Sequence, residues 1–281
     1  MEADQAASQT ALGSACLRAV HQLLDAAPRI LEDPLALPLL GPDMAAQIQA
    51  QRDEYQTPAM QVARAHVVLR SRFAEDRLAA AVSRGVTQFV ILGAGFDTFA
   101  LRQPPWAHGL NVLEVDHRET QWAKRLRIDA AQLTVPTNVS FAAVDFERQS
   151  LRDGLLPHDV ALDQPTVFSW LGVTMYLQEA AIDATLKFVS EFAAGSEIVL
   201  TFAQPLGDRG EPESLFAARA AELGEPFISF FTPPAMEAKL RRAGFSSVEF
   251  LSPQEAEIRY FSQRPRDLPV PRRTAIVAAR V

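Results

Sequence analysis

Apolar residues recur at helical spacing over the first third of the chain. Leu17, Val20 and Leu24 stand three to four residues apart, as on one face of a helix. The pattern predicts a helix through these residues, a short one near 43–54, and a long one that begins at Pro58 after the N-cap Thr57 and ends at Gly85. Residues 1–84 show no convincing strand pattern, so we interpret them as a helical cap.

From Val86 the pattern changes to short apolar runs separated by amphipathic segments. The apolar runs predict strands at 88–92, 110–115, 139–144, 166–170, 197–202, 246–251 and 274–280. The segments between them predict helices at 117–132, which carries Trp122 and Leu126, and at 178–193 and 234–243. Such alternation is typical of parallel strands with crossover helices on both faces. Residues 85–281 are therefore predicted to form an α/β core, a doubly wound Rossmann-like sheet.

One connection in this core is much longer than the others. Residues 203–232 follow the fifth strand, open with Gly207 and Pro212, and end in a stretch that contains Phe227 and Phe230. Connections of this length are usually functional or disordered. We therefore predict that this insertion caps the site.

Composition argues against several classes of function. The net charge of −7 disfavours a nucleic-acid partner, because phosphate backbones are bound by clustered Lys and Arg. Cys16 is the only cysteine, so no intrachain disulfide can form. The five histidines lack metal-ligand spacing, and no apolar run approaches the roughly 18 residues that span a bilayer. We expect a cytoplasmic protein with no metal site, no nucleic-acid partner and no membrane partner, and the oligomeric state stays open.

The strongest local motif follows the first predicted strand and reads Gly93-Ala94-Gly95-Phe96-Asp97-Thr98. Glycines at the end of a first parallel strand let the backbone turn tightly and approach a ligand closely. Thr98 stands where a dinucleotide fingerprint has its third glycine, which favours a nucleoside without a pyrophosphate. The alternative is a tight turn with a structural role only.

Two acids end the second predicted strand. Glu114 and Asp116 lie about twenty residues beyond the glycines, the separation at which an acid reaches ribose hydroxyls. We expect only one of the two carboxylates to contact the ribose. The alternative for Asp116 is helix capping, because Asp116 and Glu119 have the spacing of a capping box.

Asp145 and Phe146 follow the third predicted strand. In an adenosine site the carboxylate can accept a hydrogen bond from the adenine amino group, while the aromatic ring packs on the base. An N-cap followed by a core phenylalanine would explain the same pair.

Arg70 lies on an apolar arc of the long predicted helix, whereas Arg72 points to the other side. An arginine that faces inward needs an anionic partner. The carboxylate of a methionine moiety would supply one, and an internal ion pair with Glu75 or Asp97 is the alternative.

Motifs of other group-transfer chemistries are missing from the sequence. It contains no Tyr-x-x-x-Lys pair, no Gly-x-Ser-x-Gly and no phosphate-loop lysine. Methyl transfer from a sulfonium needs few such groups, because the donor is already activated and the enzyme mainly aligns the reactants and excludes water.

Five segments occur in one order that resembles the leucine carboxyl methyltransferase-like family of S-adenosylmethionine-dependent O-methyltransferases, in particular its bacterial branch. They are Arg70 to Phe73, Val90 to Thr98 with Arg102, Glu114 to Asp116, Asp145-Phe146, and Gly172 to Leu177. The resemblance implies a seven-stranded sheet with an antiparallel last strand, and an acceptor covered by the N-terminal helices and the insertion. It also implies that Arg70 binds the donor carboxylate, Gly93 and Gly95 line the methionine portion, Asp116 holds the ribose, and Asp145 and Phe146 contact adenine.

One position departs from the family pattern. Many members carry Glu directly before the Gly-Val-Thr-Met-Tyr-Leu stretch, where it can meet the ammonium of the donor, but this chain has Leu171. We expect a backbone carbonyl near Ser169 or Trp170 to take over that contact, or the contact to be absent.

The sequence thus predicts a methyltransferase that uses S-adenosylmethionine, releases S-adenosylhomocysteine, and methylates a carboxylate or hydroxyl oxygen of a small-molecule acceptor. Tyr176 is the candidate catalytic residue at the acceptor. The candidate donor-binding residues are Arg70, Gly93, Ala94, Gly95, Asp97, Glu114, Asp116, Asp145, Phe146 and Ser169. The alternatives are a nicotinamide-dependent oxidoreductase and a non-catalytic module that binds S-adenosylmethionine.

Overall fold

A computed structural model describes residues 7–205 and 215–281. Helices α1 to α5 precede the first strand and span Gln9–Leu24, Ala36–Leu40, Pro42–Ala50, Arg52–Tyr55 and Pro58–Val82. The single helix predicted near 43–54 is wrong, because Gln51 leaves the helical region at φ −102° and ψ 21° and separates α3 from α4. The long predicted helix is confirmed as α5, with Thr57 at its N-cap position. The proposed domain boundary after residue 84 falls in the turn between α5 and the first strand.

The remaining elements alternate as the apolar runs predict. Strands β1 to β7 span Gln88–Leu92, Asn111–Asp116, Val139–Ala143, Thr166–Trp170, Glu197–Thr201, Ser247–Phe250 and Ile276–Arg280. Helices α6 to α12 span Phe99–Arg102, Arg118–Ala130, Leu151–Leu155, Glu179–Val189, Leu215–Glu222, Pro233–Ala243 and Pro253–Ala256. Short 3-10 turns lie at Pro105–Ala107 and Thr174–Tyr176, and a π turn lies at Glu257–Phe261.

All seven strands form one sheet in the order β3-β2-β1-β4-β5-β7-β6. Strands β1 to β5 are parallel, and β7 runs antiparallel to both of its neighbours. The predicted doubly wound sheet with an antiparallel last strand is therefore confirmed. The chain leaves β1 toward β2 and β3 and returns to β4 on the other side of β1. Ligands of open α/β sheets bind outside the carboxyl ends of the strands at such a reversal.

Both faces of the sheet are covered by helices. On one face Leu92, Trp170 and Leu200 join Leu186 of α9 and Leu240 of α11 in one apolar cluster. On the other face α5 packs its own apolar arc against the sheet, in a second cluster with β5 and β7. β1 is buried along its whole length, so its carboxyl end delivers the glycine motif from a rigid base.

Helix α7 buries a different face from the one that carries its largest apolar residues. Trp122 and Leu126 are 50% and 43% exposed, whereas Ala123, Lys124 and Ile128 are buried. The predicted helix is therefore confirmed, but its two large apolar residues do not mark its buried face. Lys124 turns inward because it forms an ion pair with Glu114 on β2, and this rotates Trp122 and Leu126 toward solvent.

The insertion after β5 is described only from residue 215 onward. Its predicted opening loop with Gly207 and Pro212 lies outside the described residues. Among the described helices, none is both long and apolar enough to cross a membrane.

Candidate active site

The glycine motif forms a tight loop at the carboxyl end of β1. The backbone N–H groups of Gly93 and Ala94 both donate to the carbonyl oxygen of Val115, at 2.8 and 3.1 Å. Gly93 has φ +65°, and a Cβ added there would lie 2.2 Å from Cγ2 of Val173. Only glycine fits both the backbone angle and the contact. The loop is thereby pressed between the ends of β2 and β4.

Asp116 ties this loop to β2. Its carboxylate accepts hydrogen bonds from the backbone N–H groups of Gly95, at 2.5 Å, and of His117, at 2.6 Å. Helix α7 is capped by His117 instead, whose ring accepts from the N–H of Glu119, so the interpretation of Asp116 as N-cap is wrong. Burial raises the pKa of Asp116, an effect that the two backbone hydrogen bonds oppose.

Glu114 lies two residues before Asp116 and therefore on the same face of β2. Its carboxylate receives two hydrogen bonds from Lys124, at 2.7 and 2.5 Å, and both side chains are buried. Burial raises the pKa of Glu114, and the charge of Lys124 acts against that effect. The two acids differ in their position along β2. Glu114 lies within the strand and holds α7 on the sheet, whereas Asp116 lies at the edge of the sheet beside the glycines.

Asp145 and Phe146 reach the same edge from β3. The N–H of Val144 donates to the carbonyl of Asp116 at 2.9 Å, which places Asp145 beside the end of β2. The Asp145 carboxylate accepts from the N–H of Glu147 at 3.0 Å. It caps a turn and not helix α8, whose N-cap is Ser150. The Phe146 ring is half-buried against the core, with its centroid 6.1 Å from that of Trp170.

Arg70 extends from α5 to the end of β4. A Cβ added to Gly172 would lie 2.7 Å from Arg70 Nη1, so the guanidinium rests directly on the Gly172 backbone. Its Nη2 donates to the Ser14 hydroxyl at 3.3 Å. The alternative of an internal ion pair with Glu75 is wrong, because Glu75 binds Arg102. No salt bridge joins Arg70 to Asp97 or to any other acid in the described parts of the chain. Burial and the charge of Arg18 lower the pKa of Arg70 to about 10.

The end of β4 carries the departure from the family pattern. Leu171 packs against the apolar cluster that α5 forms on the sheet. Ser169 is buried within β4, in register with Ile91 of β1 and Val199 of β5. The indole N–H of Trp170 is buried and has no hydrogen-bond partner among the described residues.

Tyr176 lies in the turn that follows β4. Its ring meets Phe227 of the insertion edge to face, with the centroids 5.1 Å apart. Burial raises the pKa of Tyr176, although a hydrogen bond with Thr10 and the nearby charge of Arg70 act in the opposite direction. The backbone N–H of Ile228 donates to the carbonyl of Met175 at 2.8 Å, which fastens the insertion against this turn.

Helix α1 contributes contacts that the sequence did not reveal. Ala11 lies 3.1 Å from the position of a Cβ on Gly95, Ser14 contacts Arg70, and Arg18 donates to the carbonyl of Phe96 at 2.5 Å. These residues follow one another at helical spacing, and the buried arginine among small residues was the available signal. At the start of α1, Glu225 of the insertion accepts hydrogen bonds from Ser8, Gln9 and Thr10.

One family model and several known proteins are similar to this chain. A family model described as Leucine carboxyl methyltransferase matches residues 11–190. The Bacillus subtilis (strain 168) protein YktD, named as a candidate S-adenosyl-L-methionine-dependent methyltransferase, is 34% identical over 212 residues, which cover 71% of this chain and 67% of YktD. A similarly named protein of Frankia alni is 33% identical over 225 residues, which cover 75% of this chain and 73% of that relative. Four such relatives are covered over 64% to 73% of their length.

Two solved structures share the fold along almost the whole chain. A protein of Thermobifida fusca YX, titled as a candidate methyltransferase, has a TM-score of 0.55 at 16% identity, with 95% of this chain and 93% of that chain covered. A DUF574 family protein from Streptomyces avermitilis has a TM-score of 0.54 at 14% identity, with 95% and 96% covered. At these identities the likeness concerns the fold alone.

Proposed function

The chain belongs to the leucine carboxyl methyltransferase family and is an S-adenosylmethionine-dependent methyltransferase, and we propose that it transfers the methyl group to an oxygen of a small-molecule acceptor. The family assignment replaces the nicotinamide-dependent alternative. The proposal depends on one observation, which defines the donor site: the Gly93–Gly95 loop, Asp116 and Arg70 all lie at the carboxyl edge of the sheet where the strand order reverses.

The residues at this edge fit an adenosyl donor. Arg70 provides a cation with no acidic partner among the described residues, suited to the donor carboxylate. Gly93, Ala94 and Gly95 lie at the same edge and carry no large side chain, so this loop can line the methionine portion. Within residues 7–205 and 215–281, Asp116 accepts two hydrogen bonds, from Gly95 and His117. A carboxylate has about four acceptor sites, so Asp116 can also accept from ribose hydroxyls. Asp145 and Phe146 are then the adenine contacts. Glu114 supports the site through Lys124.

The donor supplies a methyl group on an activated sulfonium, so the chain itself needs to align the reactants and exclude water. Arg70 fixes one end of the donor and Asp116 the middle. Helix α1 covers the loop through Ala11 and keeps solvent away from Gly95. None of these residues has to accept a proton in order to act.

The surroundings of Tyr176 favour an acceptor that is already anionic. Because burial raises the pKa of Tyr176, the phenol stays protonated near neutral pH and can donate a hydrogen bond to an acceptor oxygen. It is therefore a poor base. The nearby Glu225 carboxylate is occupied by the first residues of α1. A carboxylate acceptor needs no base at neutral pH, so we favour a carboxylate oxygen over a hydroxyl.

The rings beside Tyr176 favour an apolar body on that acceptor. Phe227 packs on Tyr176, and Phe230 follows with its centroid 6.3 Å from that of Phe227. Phe230 is 46% exposed. The three rings form a continuous row of contacts from the exposed Phe230 to the turn after β4, an apolar surface suited to the body of an aromatic or aliphatic acid.

The test is to incubate the protein with labelled S-adenosylmethionine and a panel of carboxylic acids and phenols, and to search for methylated products by mass spectrometry. We expect an apolar carboxylic acid to gain one labelled methyl group, and Asp116→Ala to abolish the product. A protein that binds S-adenosylhomocysteine but methylates no acceptor oxygen in any panel would refute the proposal. Methylation at nitrogen or sulfur would refute its O-specific part.

A further inference from the structure

Two opposite charges flank the glycine loop without a salt bridge in the described parts of the chain. Arg70 approaches from α5 and has Ser14 as its hydrogen-bond partner. Asp97 follows the loop, and its Oδ1 accepts from the N–H of Phe99 at 2.7 Å. Both side chains are partly exposed, whereas an unpaired charge is normally left fully in water. A cation and an anion are thus held at the site with capacity for a ligand.

The other charges around the loop are already matched with one another. The pairs are Arg18 with Asp33, Arg102 with Glu75, and Lys124 with Glu114. Their summed field acts on Asp97: burial alone would raise its pKa, but the cations Arg18, Lys124 and Arg102 hold it below the usual value. Asp97 is therefore ionised at neutral pH, and each nearby cation is engaged by another acid.

The two remaining charges, Arg70 and Asp97, lie close enough to interact, because the Asp97 carboxylate raises the pKa of Arg70 against the effect of burial. Ala11 touches Gly95, and Ser14 contacts Arg70. Residues three apart on a helix face are about 5–6 Å apart at Cβ, so Arg70 and the loop that carries Asp97 meet the same short stretch of α1. An α-amino acid carries its carboxylate and its ammonium on one carbon, and it can therefore bridge such a cation and anion.

We propose that Asp97 binds the α-ammonium of the donor while Arg70 binds its α-carboxylate, so that the two residues clamp the zwitterionic end of S-adenosylmethionine. The inference rests on the proposed function and assigns the contact that Leu171 cannot make. It replaces the expected backbone carbonyl near Ser169 or Trp170. Ser169 lies within a strand that is paired on both sides, and Trp170 pairs with Leu200 of β5, so the backbone groups there serve the sheet. The Asp97 carboxylate, in contrast, accepts one hydrogen bond, from the N–H of Phe99, and keeps acceptor capacity for a ligand.

Calorimetry with two ligands tests the clamp. S-Adenosylhomocysteine carries the amino-acid end, and 5′-methylthioadenosine is the corresponding thioether without it. Asp97→Asn removes the charge, but its side-chain oxygen can still accept from the Phe99 N–H, so the loop should persist. We expect Asp97→Asn to weaken S-adenosylhomocysteine at least tenfold and to leave 5′-methylthioadenosine within about twofold. Asp129→Asn, an exposed acid on α7, is the matched control and should change neither affinity.

The outcomes separate this inference from the function on which it rests. Equal affinity of wild type and Asp97→Asn for S-adenosylhomocysteine would overturn the clamp and leave the methyltransferase intact. An equal loss for both ligands would also overturn it, because a distorted loop does not discriminate between them. A wild-type protein that binds neither ligand would overturn the proposed donor site, and the clamp with it.

Discussion

Substituting Gly172 by Ala should weaken donor binding through Arg70. The new Cβ would lie 2.7 Å from Nη1, 2.8 Å from Nη2 and 3.0 Å from Cζ of Arg70. Cβ contacts below 3 Å are not tolerated, but here the clashing atoms are the far end of a flexible side chain. The guanidinium can therefore swing away, and the main consequence is the loss of its position.

The magnitude follows from two separate terms. Gly172 has φ +77°, and an L-residue in this left-handed region costs about 1–2 kcal/mol of stability. The second term concerns binding only: a hydrogen bond to a charged group contributes roughly 1.5–3 kcal/mol, which corresponds to about tenfold to a hundredfold in dissociation constant. The first term lowers the free energy of unfolding, and the second weakens S-adenosylhomocysteine.

A matched variant separates these terms. Gly85 has φ +95° with nothing within 4 Å of an added Cβ, so Gly85→Ala carries the backbone strain without touching Arg70. Urea unfolding should show a similar loss of stability for both variants, whereas calorimetry should show weaker S-adenosylhomocysteine binding for Gly172→Ala alone. If Gly172→Ala binds as tightly as Gly85→Ala, Arg70 does not hold the donor.

Three further predictions concern the supports of the site. Gly93→Ala should destabilise the fold by roughly 2–4 kcal/mol, because the new Cβ would lie 2.2 Å from Val173. Adding Val173→Ala should restore part of the lost stability in thermal unfolding; a double variant no more stable than Gly93→Ala would show that the clash is not the cause. Glu225→Ala should cost ~1–3 kcal/mol in urea unfolding and speed hydrogen exchange at the start of α1, since its carboxylate accepts hydrogen bonds there; Glu222→Ala is the control. Burial raises the pKa of Glu75 to about 6, so the folded state binds that proton more tightly than the unfolded state. The free energy of unfolding should therefore fall by about 2 kcal/mol as the pH rises from about 4.5 to about 6. Glu75→Gln should remove this fall in unfolding curves at the two pH values, and an unchanged pH dependence would argue against the prediction.

The spacing of apolar residues predicted most of the helices and strands, because it indicates which side of each element is buried. The limits of β1 and β4 agree with the predicted runs residue for residue. Prediction failed where a charge took an apolar place: Lys124 turns inward to Glu114 and leaves Trp122 and Leu126 exposed. A hydrophobic pattern cannot show this, since burial of a lysine depends on an acid that is remote in sequence.

The sequence predicted only those residues of the site that belong to short motifs. Gly95, Asp116 and Asp145 come from separate segments and meet at one edge because they follow neighbouring parallel strands. The capping interpretation of Asp116 failed because the same carboxylate geometry serves a helix N–H or the loop N–H of Gly95. Sequence spacing alone cannot distinguish the two N–H groups, because the carboxylate can accept a hydrogen bond from either one equally well.

The division into a helical cap and a separate core conceals a physical link between them. The first helix touches the glycine loop through Ala11, the Arg70 side chain through Ser14 and the Phe96 carbonyl through Arg18. The glycine loop and Arg70 are also the groups that we assign to the methionine end of the donor. A ligand that orders the loop and Arg70 therefore changes the free energy with which α1 docks on the core. By reciprocity, a change that loosens α1 lowers the affinity for the donor by the same factor. Because Glu225 binds the start of α1 from the insertion beside Tyr176, we expect the same coupling to reach the proposed acceptor side, so that loosening α1 weakens the binding of donor and acceptor together.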